Sequence, residues 1–538
     1  MSPIREQALP SSPKAPPIYL PFGIAAVLLG GLLSTVNARL LTVGLPDVRG
    51  ALSLSVDQAA WTSTAYNMAL MFMGVFSVYL GAILGVRRVL LACSLLYALA
   101  SLLMPFASGY GPLLVLEVIA GLSSGTFYPL TLSFILTSLP PRLMPVGLAM
   151  YSITILFAAN IASSLSAWYT DVLSWKWIFW NASWIGPIMF LCVYFGVPRS
   201  TLPERKSAGP SWRGLLYWSF GLALIYGALD EGERVRWFDS PSYPALLLSG
   251  FFLVLVSIVR RKQDPNPLIA LSFVRGRSTI LLAVILFAFR FFLLSTALLI
   301  PQFLGGIGGL RNEQIGPVLS VVALLQFGIA WVTAFALREV NSRLIMAIGF
   351  GIIGVTAFLC SHLSSAWAPN TYIPMTVFLA IGESFAMLGL VASLVLHILG
   401  SGAFAPSGKP KRPADVLTFS GFFHTVRIMG GQIGSILMLH LINERTKFHV
   451  SILSQDAAIS RLPVSHFVYG AIAALAPDTS NPAQRVSWTG YFLGATIRQQ
   501  GTTLAFADAF TVLAWSTIAV LVLIAFIRLS IPSFKELV

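Results

Sequence analysis

Six ionisable side chains interrupt long apolar runs of this chain. Glu117 is the single carboxylate of "LLVLEVIAGLSSGTFYPLTLSF" (113–134), and Arg39 stands in "STVNARLLTVGLP" beside Asn37. Arg290 lies in "LFAFRFFLLS", Glu383 in "FLAIGESFA", and His424 and Arg427 in "GFFHTVRIMGGQIGSIL". A charge in hydrocarbon costs a few kcal/mol unless a partner or a cavity receives it, so such residues carry a task. A buried carboxylate can accept and release a proton. Arginine keeps its charge and can hold a carboxylate or a bound anion. Histidine is the side chain that titrates near neutral pH, though a buried one often only hydrogen-bonds. These residues suit ion pairing, proton carriage and anion binding rather than bond making. Walker loop and HExxH patterns are both missing from the sequence.

The elements that must position them are membrane helices. Of 538 residues, 56% are hydrophobic and 10% charged, against about 25% charged in a soluble domain. Runs of about 20 apolar residues span a bilayer. Fourteen are predicted: 20–45, 59–82, 88–107, 112–137, 144–168, 177–197, 212–230, 243–260, 278–302, 314–336, 343–362, 371–399, 415–442 and 506–529. The net charge of +14 follows topology. With the N-terminus inside, the inner segments hold 21 Lys and Arg, including Arg87 and Arg88, and the short outer loops hold five. That bias places both termini in the cytoplasm and leaves no basic face for nucleic acid. The polar, proline-rich start lacks the compact basic beginning of a cleaved signal, so the first run is read as a retained span. Cys93, Cys192 and Cys360 sit in apolar runs with no metal-ligand or disulfide spacing, and no cofactor is expected.

Depth along the spans suggests partners. Arg39 and Glu117 lie at one depth in spans 1 and 4, so they are expected to pair, as a static bridge or as a titrating pair that opens. Arg290 and Glu383 share a mid-membrane level and form the second expected pair. Arg427 and His424, three residues apart, share a helix face. Asn37, Arg290 and Arg427 are placed at a substrate cavity, and Arg39, Glu117, Glu383 and His424 at proton coupling or ion pairing. Small residues supply close helix contacts: Ala162, Ser163, Ser166 and Ala167 in span 5, and Gly430, Gly431 and Gly434 in span 13. "LGVRRVLL" after span 2 and "LREVNSRLIM" after span 10 place basic residues at matching points of a six-span unit, with spans 7 and 8 inserted. The expected division is a tail at 1–19, a six-helix bundle at 20–198, an inserted pair with linkers at 199–277, and a second bundle at 278–538. Segment 443–505 is the one long outer loop, broken by Pro463, Pro477 and Pro482 into short pieces.

In order along almost the whole chain, the motifs resemble those of a known family. "NARLLTVGLP" sits at the place of a "DxTIVNVALP"-like motif, followed by "WTSTAYNMA" for "WVxTAYxLA". "DVLSWKWIFWNASWIG" resembles "WRWIFxINVPIG"; "LDEGERVRWFDSP" resembles "LDxGxxxxWFxS". "DPNPLIALSFVRGR", "HTVRIMGGQIGSIL" and "QQGTTLAFADAFTVLAW" complete the series. The chain thus resembles the fourteen-span drug:proton antiporters of the major facilitator superfamily, the EmrB/QacA type. It departs at Asn37 for the family's span 1 acid, and at Glu117 for the span 4 arginine. A third departure is "GAILGVRR", at Arg87 and Arg88, for the "GxLxDRxGR" loop of the cytoplasmic gate. The span 5 glycine-proline motif is replaced by the small residues named above.

The resemblance implies an all-α polytopic protein with the major facilitator fold, arranged as 6 + 2 + 6 helices in a bacterial inner membrane. It implies no enzyme but a carrier that exports small hydrophobic or amphipathic compounds in exchange for protons. A periplasmic adaptor and an outer-membrane channel are its implied partners. A transport-inactive sensor or scaffold of the same fold, and a substrate:proton symporter, are the alternatives; an inward arginine favours an anionic substrate.

Overall fold

The computed structural model describes residues 19–199, 212–263, 276–400, 413–457, 461–474, 481–527 and 533–537. The expected tail, most of the linkers 199–211 and 264–275, and the basic cluster Lys409, Lys411 and Arg412 lie outside them.

Lipid offers no partner for backbone N–H and C=O groups, so a spanning segment must satisfy its own, and helices do so. The described residues form no strand. The helices are α1 (Leu20–Ala51), α2 (Val56–Leu84), α3 (Val86–Leu103), α4 (Tyr110–Ser138) and α5 (Met144–Leu173). There follow α6 (Trp177–Gly196), α7 (Trp212–Gly232), α8 (Ser242–Gln263), α9 (Arg277–Gly306) and α10 (Asn312–Glu339). The last are α11 (Ser342–Cys360), α12 (Pro369–Gly400), α13 (Pro413–Gln455), the short α14 (Leu462–Ala474) and α15 (Pro482–Ala525). Thirteen are long and apolar enough to cross a membrane. The seventh predicted span, α7, falls outside that set, because tryptophans, tyrosines, glycines and an acidic end dilute its apolar content. It still packs as a full helix between α2 and α8.

Local signals set the ends. Ser55 Oγ accepts from Gln58 N at 3.1 Å while Gln58 Oε1 accepts from Ser55 N at 3.0 Å, which starts α2. Gly85, at φ 85°, turns the chain directly from α2 into α3, a conformation that penalises any Cβ. Asn341 Oδ1 accepts from Arg343 N at 2.9 Å to start α11.

The face on which α1 begins and α15 ends is called here the entry face, and the opposite side the far face. α5 and α12 are the central helices, with 89% of their apolar windows buried. α5 packs on α1 and α10, and α12 on α10 and α11. The repeat that the basic loops suggested has a structural counterpart. Arg87, at the start of α3, donates to Tyr194 O near the end of α6 at 2.7 Å. Arg343, at the start of α11, donates to Ile524 O and Ala525 O at the end of α15 at 3.3 and 3.2 Å.

The outer segment differs from the expected chain of short pieces. α13 and α15 have 43 and 44 residues, roughly 65 Å each at 1.5 Å per residue, about twice a bilayer core. Most of 443–505 is therefore continuous with its two spans. Arg445 Nε and His449 Nε2 of α13 meet Asp508 Oδ2 of α15 at 2.5 and 2.7 Å. Pro482 opens α15 at its first turn, where its missing N–H costs nothing.

Candidate functional site

A cavity of about 300 Å3 lies between α1, α2, α7, α9 and α13, in the half of the protein towards the far face. Three arginines line it: Arg39 from α1, Arg290 from α9 and Arg427 from α13. On the entry side it is closed. Phe423 of α13 packs against Tyr151 of α5 with ring centroids 5.9 Å apart. Gly81 of α2 leaves room for Leu417, and Gly421 of α13 for Val78.

Each arginine has its own support. The Arg427 guanidinium lies 3.9 Å from the Tyr128 ring centroid, a cation–π contact. Tyr128 Oη is held by Thr35 at 2.6 Å and Thr154 at 3.0 Å. Arg290 reaches the cavity across bare backbone: a Cβ on Gly431 would come to 2.7 Å from its Nη2, and one on Gly430 to 3.2 Å from Phe287. Gly434 faces Phe291 and Leu294 in the same seam, so all three glycines seat α9 on α13. The Nε atoms of Arg290 and Arg427 are buried without a hydrogen-bond partner.

Acidic groups only partly balance this charge. Asp230 of α7 lines the cavity, accepting from Gln432 Nε2 at 2.8 Å and lying 2.7 Å from Thr64 Oγ1. Glu233, also in the lining, is bound to Trp237 Nε1 at 3.0 Å and Asn443 Nδ2 at 2.9 Å. Glu231 sits 2.7 Å from the same Thr64 hydroxyl and is paired with Arg234, which also pairs with Asp57. Asp230 and Tyr226 fall within the seventh predicted span and are not singled out by the sequence as lining. Their spacing of four, one face of α7, was the available signal.

The two expected ion pairs do not form. Arg39 and Glu117 share a depth but face opposite sides of α1's neighbourhood. Residues two apart on a helix are turned by about 200°. Arg39 therefore joins Thr35, Ala38 and Thr42 at the central cavity, while Asn37 and Leu41 face Glu117. Asn37, expected in the substrate cavity, belongs instead to this second site. Glu117 lines a void of about 20 Å3 with Asn37, Tyr66, Tyr97 and Ser101, enough for about one water. Its Oε1 is buried with no hydrogen-bond partner. Around it, Asn37 Nδ2 donates to Tyr97 Oη at 2.8 Å, Asn181 Nδ2 donates to Asn37 Oδ1 at 2.9 Å, and Tyr66 Oη donates to Ser124 Oγ at 2.9 Å.

Glu383 likewise has other partners than Arg290. Thr296 Oγ1 donates to its Oε1 at 2.9 Å and Gln326 Nε2 to its Oε2 at 2.8 Å, with Ser295 at 3.5 Å. A π-helical turn at Ser295–Leu299 of α9 presents those hydroxyls, and such turns are frequent at functional sites. Gln326 Oε1 accepts from Asn160 Nδ2 of α5 at 3.1 Å, so the cluster bridges α5, α10 and α12. Uncharged Asn160 and Gln326 gave no charge signal in the sequence.

His424 is fully buried against Gly74 of α2, which has no side chain to exclude the ring. Beside the expected small residues of α5, Ser164 touches α10, 2.5 Å from Ser320 Oγ and against Gly316. Ser166 instead meets α1 at Gly44. Ala162, Ser163 and Ala167 are buried. Arg87 and exposed Arg88 lie at the entry face, outside the cavity lining. No cluster of metal-ligating residues occurs among the described residues.

Comparisons with known proteins agree with this architecture. The sequence pattern described as "Major Facilitator Superfamily" matches residues 27–444. The colistin resistance protein EmrB of Acinetobacter baumannii is 24% identical over 440 residues, 80% of this chain and 82% of that protein. The multidrug export protein EmrB of Haemophilus influenzae is 23% identical, covering 90% of this chain and 94% of that protein. Among solved structures, the human organic anion transporter MFSD10 superposes with a TM-score of 0.54 at 13% identity, covering 93% of this chain and all of that one.

Proposed function

This chain belongs to the Major Facilitator Superfamily, and from that we propose that it is a proton-coupled exporter whose central cavity takes an amphipathic anion. One observation carries the substrate class. Three arginines from α1, α9 and α13 converge on one cavity, against Asp230 and a Glu233 held by Trp237 and Asn443. A sulfonate, carboxylate or phosphate would supply the missing negative charge, and the apolar lining of Leu70, Leu229, Leu293 and Leu294 would receive its hydrocarbon part.

Bundles 20–198 and 278–538 are read as the two moving halves, with α7 and α8 inserted beside α2. They exchange access by rocking across the α5–α10 and α13–α2 seams. Glu117 is assigned the coupling proton. It has an unpartnered oxygen, a void for one water, and tyrosine and asparagine neighbours that can pass a proton. The two sites meet on α1, where Asn37 faces Glu117 and Arg39 faces the substrate, so protonation can turn the helix that binds the anion. Relatives named for multidrug export support this direction of transport. The long outer ends of α13 and α15 suit an inner-membrane pump that hands its substrate to a periplasmic adaptor and an outer-membrane channel.

The test is proton release from acid-loaded inverted vesicles on addition of a panel of aryl sulfonates and amphipathic carboxylates, for the native chain and Glu117→Gln. Anion-triggered release by the native chain only is expected. Equal release by both would remove Glu117 from coupling. Release triggered by cations alone would overturn the substrate class.

A further inference from the structure

A second cluster of positive charge has no assigned task. At the entry face a pocket of about 300 Å3 is lined by Leu84, Arg87, Arg88, Leu91, Tyr194 and Arg199. It lies where α2 ends, α3 begins and α6 ends, at one level of the fold and at the edge of the apolar belt. Arg87 is tied to Tyr194 by its 2.7 Å hydrogen bond to the carbonyl and by lying 4.9 Å from the ring centroid. Arg88 and Arg199 are exposed.

Nothing in the described chain balances these three guanidinium groups. The sequence holds no Asp or Glu between Asp57 and Glu117, nor between Asp171 and Glu204, so α3, α6 and most of α2 carry no carboxylate. No acidic residue is among the described residues that line the pocket. The first turn of α3, which favours an anion through its free N–H groups, carries arginines and no acid. Beside the pocket the surface is apolar: Phe22, Leu84, Tyr194 and Phe195 are all exposed, as lipid-facing side chains are. A counter-anion that enters here meets hydrocarbon on one side and guanidinium on the other.

We propose that this three-arginine pocket binds the phosphate headgroup of an anionic membrane phospholipid, with its acyl chains along Leu84, Tyr194 and Phe195. Arginine forks bind phosphate oxygens two at a time, and basic pockets between helices on the cytoplasmic side are a known place for anionic headgroups. The lipid would tie the start of α3 to the end of α6 at the entry face. The site is separate from the central cavity, so the substrate assignment can fail without it.

The experiment uses the full chain, delipidated in neutral detergent and titrated with phosphatidylglycerol or phosphatidylcholine, with bound lipid counted by native mass spectrometry. The variant is Arg88→Gln with Arg199→Gln, which leaves the Arg87–Tyr194 tie intact; Arg213→Gln is the control for general charge on the same face. Retention of phosphatidylglycerol over phosphatidylcholine is expected in the native chain and in the control, with at least a ten-fold loss in the double variant. Equal retention in native and double variant, or an equal loss in the control, overturns the site. Displacement by millimolar inorganic phosphate assigns it to a free anion and overturns the lipid. Should the double variant lose its fold, the native chain decides: no preference for phosphatidylglycerol overturns the proposal.

Discussion

Arg290→Gln separates an anion-binding cavity from a merely polar one. Arg290 reaches the cavity over the bare backbone of Gly431, its Nε has no hydrogen-bond partner, and it has no ion pair with Glu383. Its removal therefore leaves no buried carboxylate unpaired. A hydrogen bond to a charged group contributes about 1.5–3 kcal/mol, which is roughly 10- to 150-fold in affinity. A Coulomb ceiling of about 4 kcal/mol at 4 Å and an effective dielectric constant of 20 bounds the same loss. The assay is fluorescence titration of the purified protein with anilinonaphthalene sulfonate and with the uncharged N-phenylnaphthylamine. Sulfonate affinity should fall within that range, affinity for the neutral dye by less than about three-fold, and Arg290→Lys should recover part of the loss. Thermal stability without ligand should not fall, because a charge that shares a cavity with Arg39 and Arg427 has been removed. Equal losses for both dyes, or an unchanged sulfonate affinity, would refute the reasoning.

Glu383→Ala should lower thermal stability more than Glu383→Gln, because alanine strands the buried donors of Thr296 and Gln326 at about 1–3 kcal/mol each; equal melting temperatures would show that water replaces the carboxylate. Gly121→Leu drives a side chain into the Tyr66 carbonyl and Ala69 of α2, and overpacking of about 1–3 kcal/mol or more should appear as a lower melting temperature and poor yield. Gly111→Ala, where a Cβ meets nothing within 4 Å, is the paired control and should leave both unchanged. Lys535 is held above its ordinary value of 10.5 by its hydrogen bond to Glu339 at 2.8 Å. A raised basic group contributes fully below its unfolded value and loses that contribution only above it, so the melting-temperature difference between the native chain and Lys535→Ala should be small, as expected of an exposed pair, and the same from pH 6 to pH 9; a difference that changes within that range would contradict the assignment.

The linear order of residues already determined the helices, the family and which residues are costly to bury. Length and apolarity decide those by themselves: an uninterrupted run of about 20 residues has only one way to satisfy its backbone in lipid. Helices stand at all fourteen predicted spans, thirteen of them by length and apolarity and α7, despite its diluted apolar content, packed between α2 and α8. The basic loops suggested two related halves, and Arg87 and Arg343 make similar hydrogen bonds to the ends of α6 and α15. Direction around each helix axis was not legible. Arg39 and Asn37 are two residues apart at one depth, yet one meets the central cavity and the other the Glu117 void. Equal depth for Arg290 and Glu383 likewise predicted a pair, where a π turn in α9 and the amide of Gln326 supply other partners. The outer segment also deceived, since polar residues with prolines read as a loop, while packing of α13 on α15 through Arg445, His449 and Asp508 accompanies helices that run on past the bilayer. Depth in a membrane is a one-dimensional property that sequence carries. The azimuth of a side chain depends on which neighbouring helix occupies each side, and only the assembled bundle fixes that.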